Sequence, residues 1–275
     1  MRSIFFRSGT LFVGILLFIS FVSGQSNGPT VPATAAAKAA LPFAVGETLS
    51  YEGKLSKIIS GISVADLDLR VKGIDGSSDL LIEAEARSKG TLLKLFRFTF
   101  LQQISSTVNS GDFFAIRTVK HDVQKERVRD SEAAFDYGER RVTYTEVNPK
   151  EPMRPPRTIA SELSGETHDI ISAIYQLRMV PLKVGDSFEM AVSDSGLVYN
   201  IPVKVAARER QKTSIGRVWC FRIEPAIFGP GRFIEQEGSM TIWITDDARR
   251  LPVRSVVKTS FGKLDIRIRS AVGLK

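Results

Sequence analysis

The chain has 275 residues, a formal net charge of +8, a quarter of its residues charged, one cysteine and two histidines. A single cysteine excludes an internal disulfide framework, and two histidines with one cysteine are too few for a typical transition-metal site. Lysines and arginines are interspersed with acids, as in Arg217, Arg222 and Glu224, a pattern of solvated sheet faces rather than of a nucleic-acid footprint.

The first 24 residues read as an export signal. Arg2 and Arg7 form a positive n-region, Leu11 to Val22 an apolar h-region, and Val22-Ser23-Gly24 a processing site, so cleavage is expected before Gln25. The apolar stretch is short of the roughly 20 residues a membrane-spanning helix needs, although an uncleaved N-terminal anchor is the other reading. Removal of this segment takes two arginines and no acids, leaving +6. No later segment approaches spanning length, and the chain is expected in the periplasm or secreted. Residues 25–40, rich in Ala, Thr and Pro, read as a flexible linker.

From Leu41 to Lys275 the pattern is that of one β-rich domain. Strands are expected at Tyr51 to Ile59, Ile62 to Lys72 (with a bulge near Ala65-Asp66) and Leu80 to Arg87, the last two joined by the turn Asp75-Gly76-Ser77-Ser78. Leu92 to Leu101 is markedly apolar and fits a strand or a short helix. Further strands are expected at Ile104 to Asn109, Phe113 to His121, Lys125 to Asp136 and Arg140 to Val147. Four prolines between Asn148 and Pro156 then mark a connecting loop.

One helix stands out: Ile170, Ile171, Ile174, Tyr175, Leu177 and Arg178 have helical spacing, Thr167 or Asp169 can cap it, and Pro181 stops it. Strands resume at Ser187 to Ser193, Tyr199 to Arg210, Gly216 to Pro225, Gly238 to Thr245, Leu251 to Phe261 and Lys263 to Val272. Gly46-Glu47 and Gly185-Asp186 precede strands at comparable places, a hint of two related sheet halves. The expected fold is mainly antiparallel β: curved sheets forming an elongated open barrel or sandwich with one short central helix.

Three stretches carry a resemblance. They are Leu41-Pro42-Phe43-Ala44-Val45-Gly46-Glu47 with the strand start after it, the helix Asp169 to Arg178 with its exit Leu182 to Asp186, and the hairpin Gly238 to Val253. Together they resemble the bacterial envelope proteins of domain-of-unknown-function family 3108. The resemblance implies an exported β-rich domain and brings no catalytic residues with it.

Candidate chemistry is sparse. Asp246-Asp247 reads as a turn bonding local amides. His168 beside Asp169 is expected just outside the helix, free to titrate near neutrality, and His121 at the surface. Cys220 reads as a small buried hydrophobe in a strand. No Gly-x-Ser-x-Gly elbow is present. Phe96, Phe98 and Phe100 can line an apolar cavity. Tyr175 and Arg178, three residues apart on one helix face, either fix the helix to the sheet or form a polar mouth for a ligand head group.

No metal or cofactor is implied. The expected role is a non-catalytic binding or chaperone-like protein in envelope assembly, holding a lipid or other amphipathic ligand. The alternatives are an interaction module for an envelope protein or polymer and, third, a hydrolase without a nameable nucleophile. Nucleic acid is not an expected partner.

Overall fold

The computed structural model describes residues 41–56, 61–90, 99–226, 240–259 and 262–275. The signal segment, the linker, Phe96 and Phe98 lie outside the described residues.

Strands β1 (Thr48–Ser56), β2 (Ile62–Gly73), β3 (Leu80–Ser88), β4 (Phe100–Val108), β5 (Ala115–Gln124), β6 (Arg127–Asp136), β7 (Arg141–Val147) and β8 (Arg157–Glu162) form one half. After the two-residue β9 (His168–Asp169) and helix α1 (Ile170–Met179) come β10 (Ser187–Asp194), β11 (Leu197–Thr213), β12 (Gly216–Pro225), β13 (Met240–Thr245), β14 (Pro252–Thr259) and β15 (Gly262–Val272). All fifteen belong to one curved sheet, in the order β8 to β1, then β15 down to β9. Neighbours are antiparallel hairpin partners, except for the parallel β9–β10 contact and the antiparallel pairing of the first strand with the last. The fold is the expected antiparallel β architecture.

Most boundaries follow the alternation in the sequence. The expected bulge is present at Val64, which falls between the partners of Gly53 and Lys54. Besides the two-residue β9, β8 is the strand the pattern did not reveal. It follows the proline-rich loop at the sheet's edge and alternates only between half-buried and exposed, so it has no apolar stripe to read.

The two halves share a turn. The Gly46 amide donates to Val71 O at 2.9 Å and the Val71 amide to Glu47 O at 2.9 Å. Gly185 and Val205, with Asp186, repeat both bonds at 2.9 Å. Gly46 and Gly185 have φ of +96° and +97°, the left-handed region that favours glycine. The copies differ in one respect: Glu47 is buried and Asp186 is exposed.

The main core gathers Leu49, Tyr51, Leu69, Ile82, Phe113, Val253 and Ile268 under the helix residues Ile171 and Tyr175. A second gathers Val203, Val205, Phe221, Ile223, Ile242 and Ile244 under Leu177. Cys220 and Trp243 belong to the first core and their strand neighbours to the second, so β12 and β13 are covered on both faces.

The open edges meet at a seam. The Ala115 amide donates to Thr167 O at 2.9 Å, and the Tyr137 hydroxyl donates to both carbonyls, Ala115 O and Thr167 O. The β10–β11 turn seats on β7 and β8 at Gly196, where an added Cβ would lie 2.5 Å from Tyr144 Cβ and 3.1 Å from Ile159 Cβ. Its central residues Ser195 and Gly196 both have positive φ, as a two-residue hairpin turn matched to strand twist requires.

Candidate functional site

Among the described residues Arg178 is the largest fully buried side chain, and the three landmark stretches converge on it. Its Nη1 and Nη2 donate to Glu47 Oε1 and Oε2 at 2.5 and 2.8 Å, and Nη2 also donates to Pro42 O and Arg249 O. The guanidinium stacks on Phe43 and Tyr175, at 4.9 and 5.0 Å from the ring centroids. Opening loop, helix and β13–β14 turn are therefore tied by one cation whose side chain has no solvent exposure. Tyr175 is equally enclosed, its phenol pushed well above the ordinary value by burial and by the neighbouring Glu47. This is an internal clasp, not a polar mouth. Phe100 lies at the far end of β1, packed near Val64, Val257 and Leu264, so the structure does not bring it together with Tyr175 and Arg178.

The polar interior lies elsewhere, on the inner faces of β4 to β7. Asp122 is buried and accepts from Gln102, Gln124 and Arg127. The buried Glu146 accepts from Tyr144 and pairs with Arg129 at 3.3 Å. Lys120, 9% exposed, stands between Ile104 and Ser131 on the neighbouring strands. Among the described residues it has neither a hydrogen-bond acceptor nor an ion-pair partner for its ammonium. Burial pushes its pKa down to about 8, the charges of Asp122, Asp194 and Glu146 opposing that shift and Arg127 adding to it.

Lys120 lines a cavity of about 50 Å³ at the seam, walled by Ile104, Ala133, Phe135, Tyr144 and Ile171. Its polar lining includes Thr118, Ser131, Ser193, Asp169 and Asp194. The Ser193 hydroxyl is buried without a partner. The Asp169 carboxylate is spent on the helix: Oδ1 accepts from the Ile171 and Ser172 amides at 2.8 Å, and Oδ2 from Thr118 Oγ1 at 2.6 Å. Asp194 accepts from Ser195 Oγ at 3.0 Å. By the space a water occupies, the cavity admits roughly three or four water-sized groups: the end of a ligand, not a whole acyl chain.

Other candidates fall into structural roles. His168 is buried rather than free, and burial lowers its imidazole to about 4, so it is neutral at pH 7. The helix-capping geometry places it in β9 under the seam, which helical spacing alone does not show. His121 is half-exposed and pairs with Asp130. Asp247 closes its turn through Thr245 Oγ1 and the Arg249 amide. Cys220 is buried, with its thiol pushed up to about 12. The Lys120 site is not evident from the sequence, where the strand Phe113 to His121 shows no face that singles the lysine out. The clue is an inverted strand, with Val119 exposed while Lys120 and Asp122 are buried.

A family model described as protein of unknown function (DUF3108) matches residues 48–269. The chain belongs to the DUF3108 family. No curated protein matches it at a significant level. The DUF3108 chain is similar in structure to a β-barrel-like protein of domain of unknown function DUF1849 from Brucella abortus. That likeness has 10% identity and a TM-score of 0.56, covering 83% of this chain and 98% of the other. At such identity it bears on the fold alone, which it supports as barrel-like. A protein with a YmcC-like fold from Bacteroides fragilis, described as a putative exported protein, matches at 10% identity, covering 84% of this chain and 97% of the other. Its TM-score is 0.29, and it carries no argument here. Among the described residues no helix is long and apolar enough to cross a membrane.

Proposed function

We propose that this DUF3108 protein is an exported, non-catalytic binding protein of the bacterial envelope, and that it holds the oxygen-bearing end of a small amphipathic ligand in the Lys120 cavity. The observation that carries this reading is the buried Lys120 side chain, without an ion-pair partner among the described residues, beside an unpaired Ser193 hydroxyl in a cavity that joins apolar walls to a polar lining. The carboxylates of Asp122, Asp194 and Glu146 act on Lys120 only at a distance, and a carbonyl or carboxylate oxygen in direct contact is the complement its ammonium lacks. The apolar walls suit the carbons that follow such a head group.

Protein purified without detergent from the envelope fraction, extracted with solvent and subjected to mass spectrometry, tests the proposal. A stoichiometric acid or carbonyl compound is expected, lost in Lys120→Met and released as pH rises through about 8. An empty, folded protein, or retention of the compound by Lys120→Met, would overturn it.

A further inference from the structure

The far half of the β11–β12 hairpin presents a basic face. Beyond Phe221, the face that upstream packs into the second core turns outward and carries Arg208, Arg210, Lys212, Arg217 and Trp219, all exposed. The opposite face is held down: Ile215, Val218 and Cys220 pack on the main core, and Ser214 Oγ donates to Ile268 O at 2.8 Å. The ribbon is thus a fixed platform, not a waving arm.

Trp219 is 44% exposed at its centre, with the guanidinium of Arg208 4.4 Å and that of Arg210 5.7 Å from its ring. Arg208 pairs with Asp246, but among the described residues Arg210, Lys212 and Arg217 have no acid partner. Lys212 and Arg217 face each other directly across the two strands. Opposed like charges destabilise a sheet. Elsewhere the same arrangement is relieved: Arg254 faces Arg267, and Asp265 bonds both. Among the described residues no acid relieves Lys212 and Arg217 in this way.

The geometry points to this face as a docking surface for an anionic lipid bilayer. The cations are spread over two strands about 5 Å apart and over roughly 13 Å of strand length. That spread suits a planar array of headgroups better than one small anion. A half-exposed indole among guanidiniums is suited to the boundary where headgroups meet acyl chains. The inference does not depend on the Lys120 cavity.

Purified protein is co-sedimented with phosphatidylcholine vesicles containing or lacking phosphatidylglycerol, at low and at high salt. Binding is expected only to the anionic vesicles, weakened by salt, with a blue shift of emission that Trp219→Phe abolishes. Each cation removed should weaken partitioning roughly five-fold, so Arg210→Gln, Lys212→Gln and Arg217→Gln together should cost about a hundred-fold. The equally charged control Lys183→Gln, Lys204→Gln, Lys258→Gln, at exposed positions elsewhere, should retain most of the binding. Equal binding to neutral vesicles, an unaffected triple variant, or an equal loss in the control would overturn the proposal. Retention on a soluble polyanion without vesicle binding would also overturn it, assigning the face to an anionic polymer instead.

Discussion

Substitution of Glu47 by Gln tests the clasp at Arg178. Both side chains are fully buried and the pair is bidentate, so the neutral amide leaves the guanidinium with two backbone carbonyls and one neutral oxygen as its acceptors. Removing one partner of a buried ion pair costs about 3–5 kcal/mol. For a chain of this size that lowers Tm by roughly 6–20 °C, at 2–4 °C per kcal/mol. Arg178→Met alone should cost a similar amount by stranding the carboxylate. Glu47→Leu combined with Arg178→Met removes both charges and should cost well below the sum of the singles, about 2–6 kcal/mol for the orphaned Pro42 and Arg249 carbonyls at about 1–3 kcal/mol each. Urea titrations followed by circular dichroism, with Glu47→Leu alone added so that single and double variants share one substitution at position 47, give the four free energies of the cycle. A Glu47→Gln protein melting within about 2 °C of the parent would refute the reasoning. So would a double variant as unstable as the sum of the singles.

Gly196→Ala should destabilise by roughly 1–3 kcal/mol, because a Cβ there would meet Tyr144 and Ile159 and φ is +82°; denaturant melts read the loss directly. Lys120 titrates lower folded than unfolded, so the unfolded chain binds the extra proton between about pH 8 and its ordinary value of 10.5, and stability from this group rises across that window. Lys120→Met should therefore be more stable than the parent at pH 7, by up to about 3 kcal/mol, and should flatten the alkaline rise in a pH series of melts. His168, lowered to about 4 against 6.5, has the same sign in acid: its contribution is present above pH 6.5 and lost as pH falls toward 4. His168→Gln should remove that part of the acid sensitivity, and an unchanged acid midpoint would show that the imidazole is not the group responsible.

Strand and helix placement was legible from residues because it depends on local chemistry. Alternation set β2, β3 and β10, and the Asp169 cap and Pro181 stop set α1, whose cap residues bond as their sequence positions predict. The repeated glycine turn was visible as Gly46-Glu47 and Gly185-Asp186, since only a left-handed position needs that residue. What the sequence withheld was which polar residues face inward. Lys120, Asp122 and Glu146 look like surface charges on alternating strands. They are buried only because the curved sheet brings β4 to β7 against the helix N-terminus and the β10–β11 turn. Likewise, Arg178 can be read from helical spacing as anchor or ligand contact, and the choice between them rests with Glu47, 131 positions away. Local patterning determines which elements form and which residues alternate. The pairing of first strand with last, the inverted β5 and the enclosure of Lys120 in its cavity depend on long-range contacts, and only the curved sheet as a whole decides them.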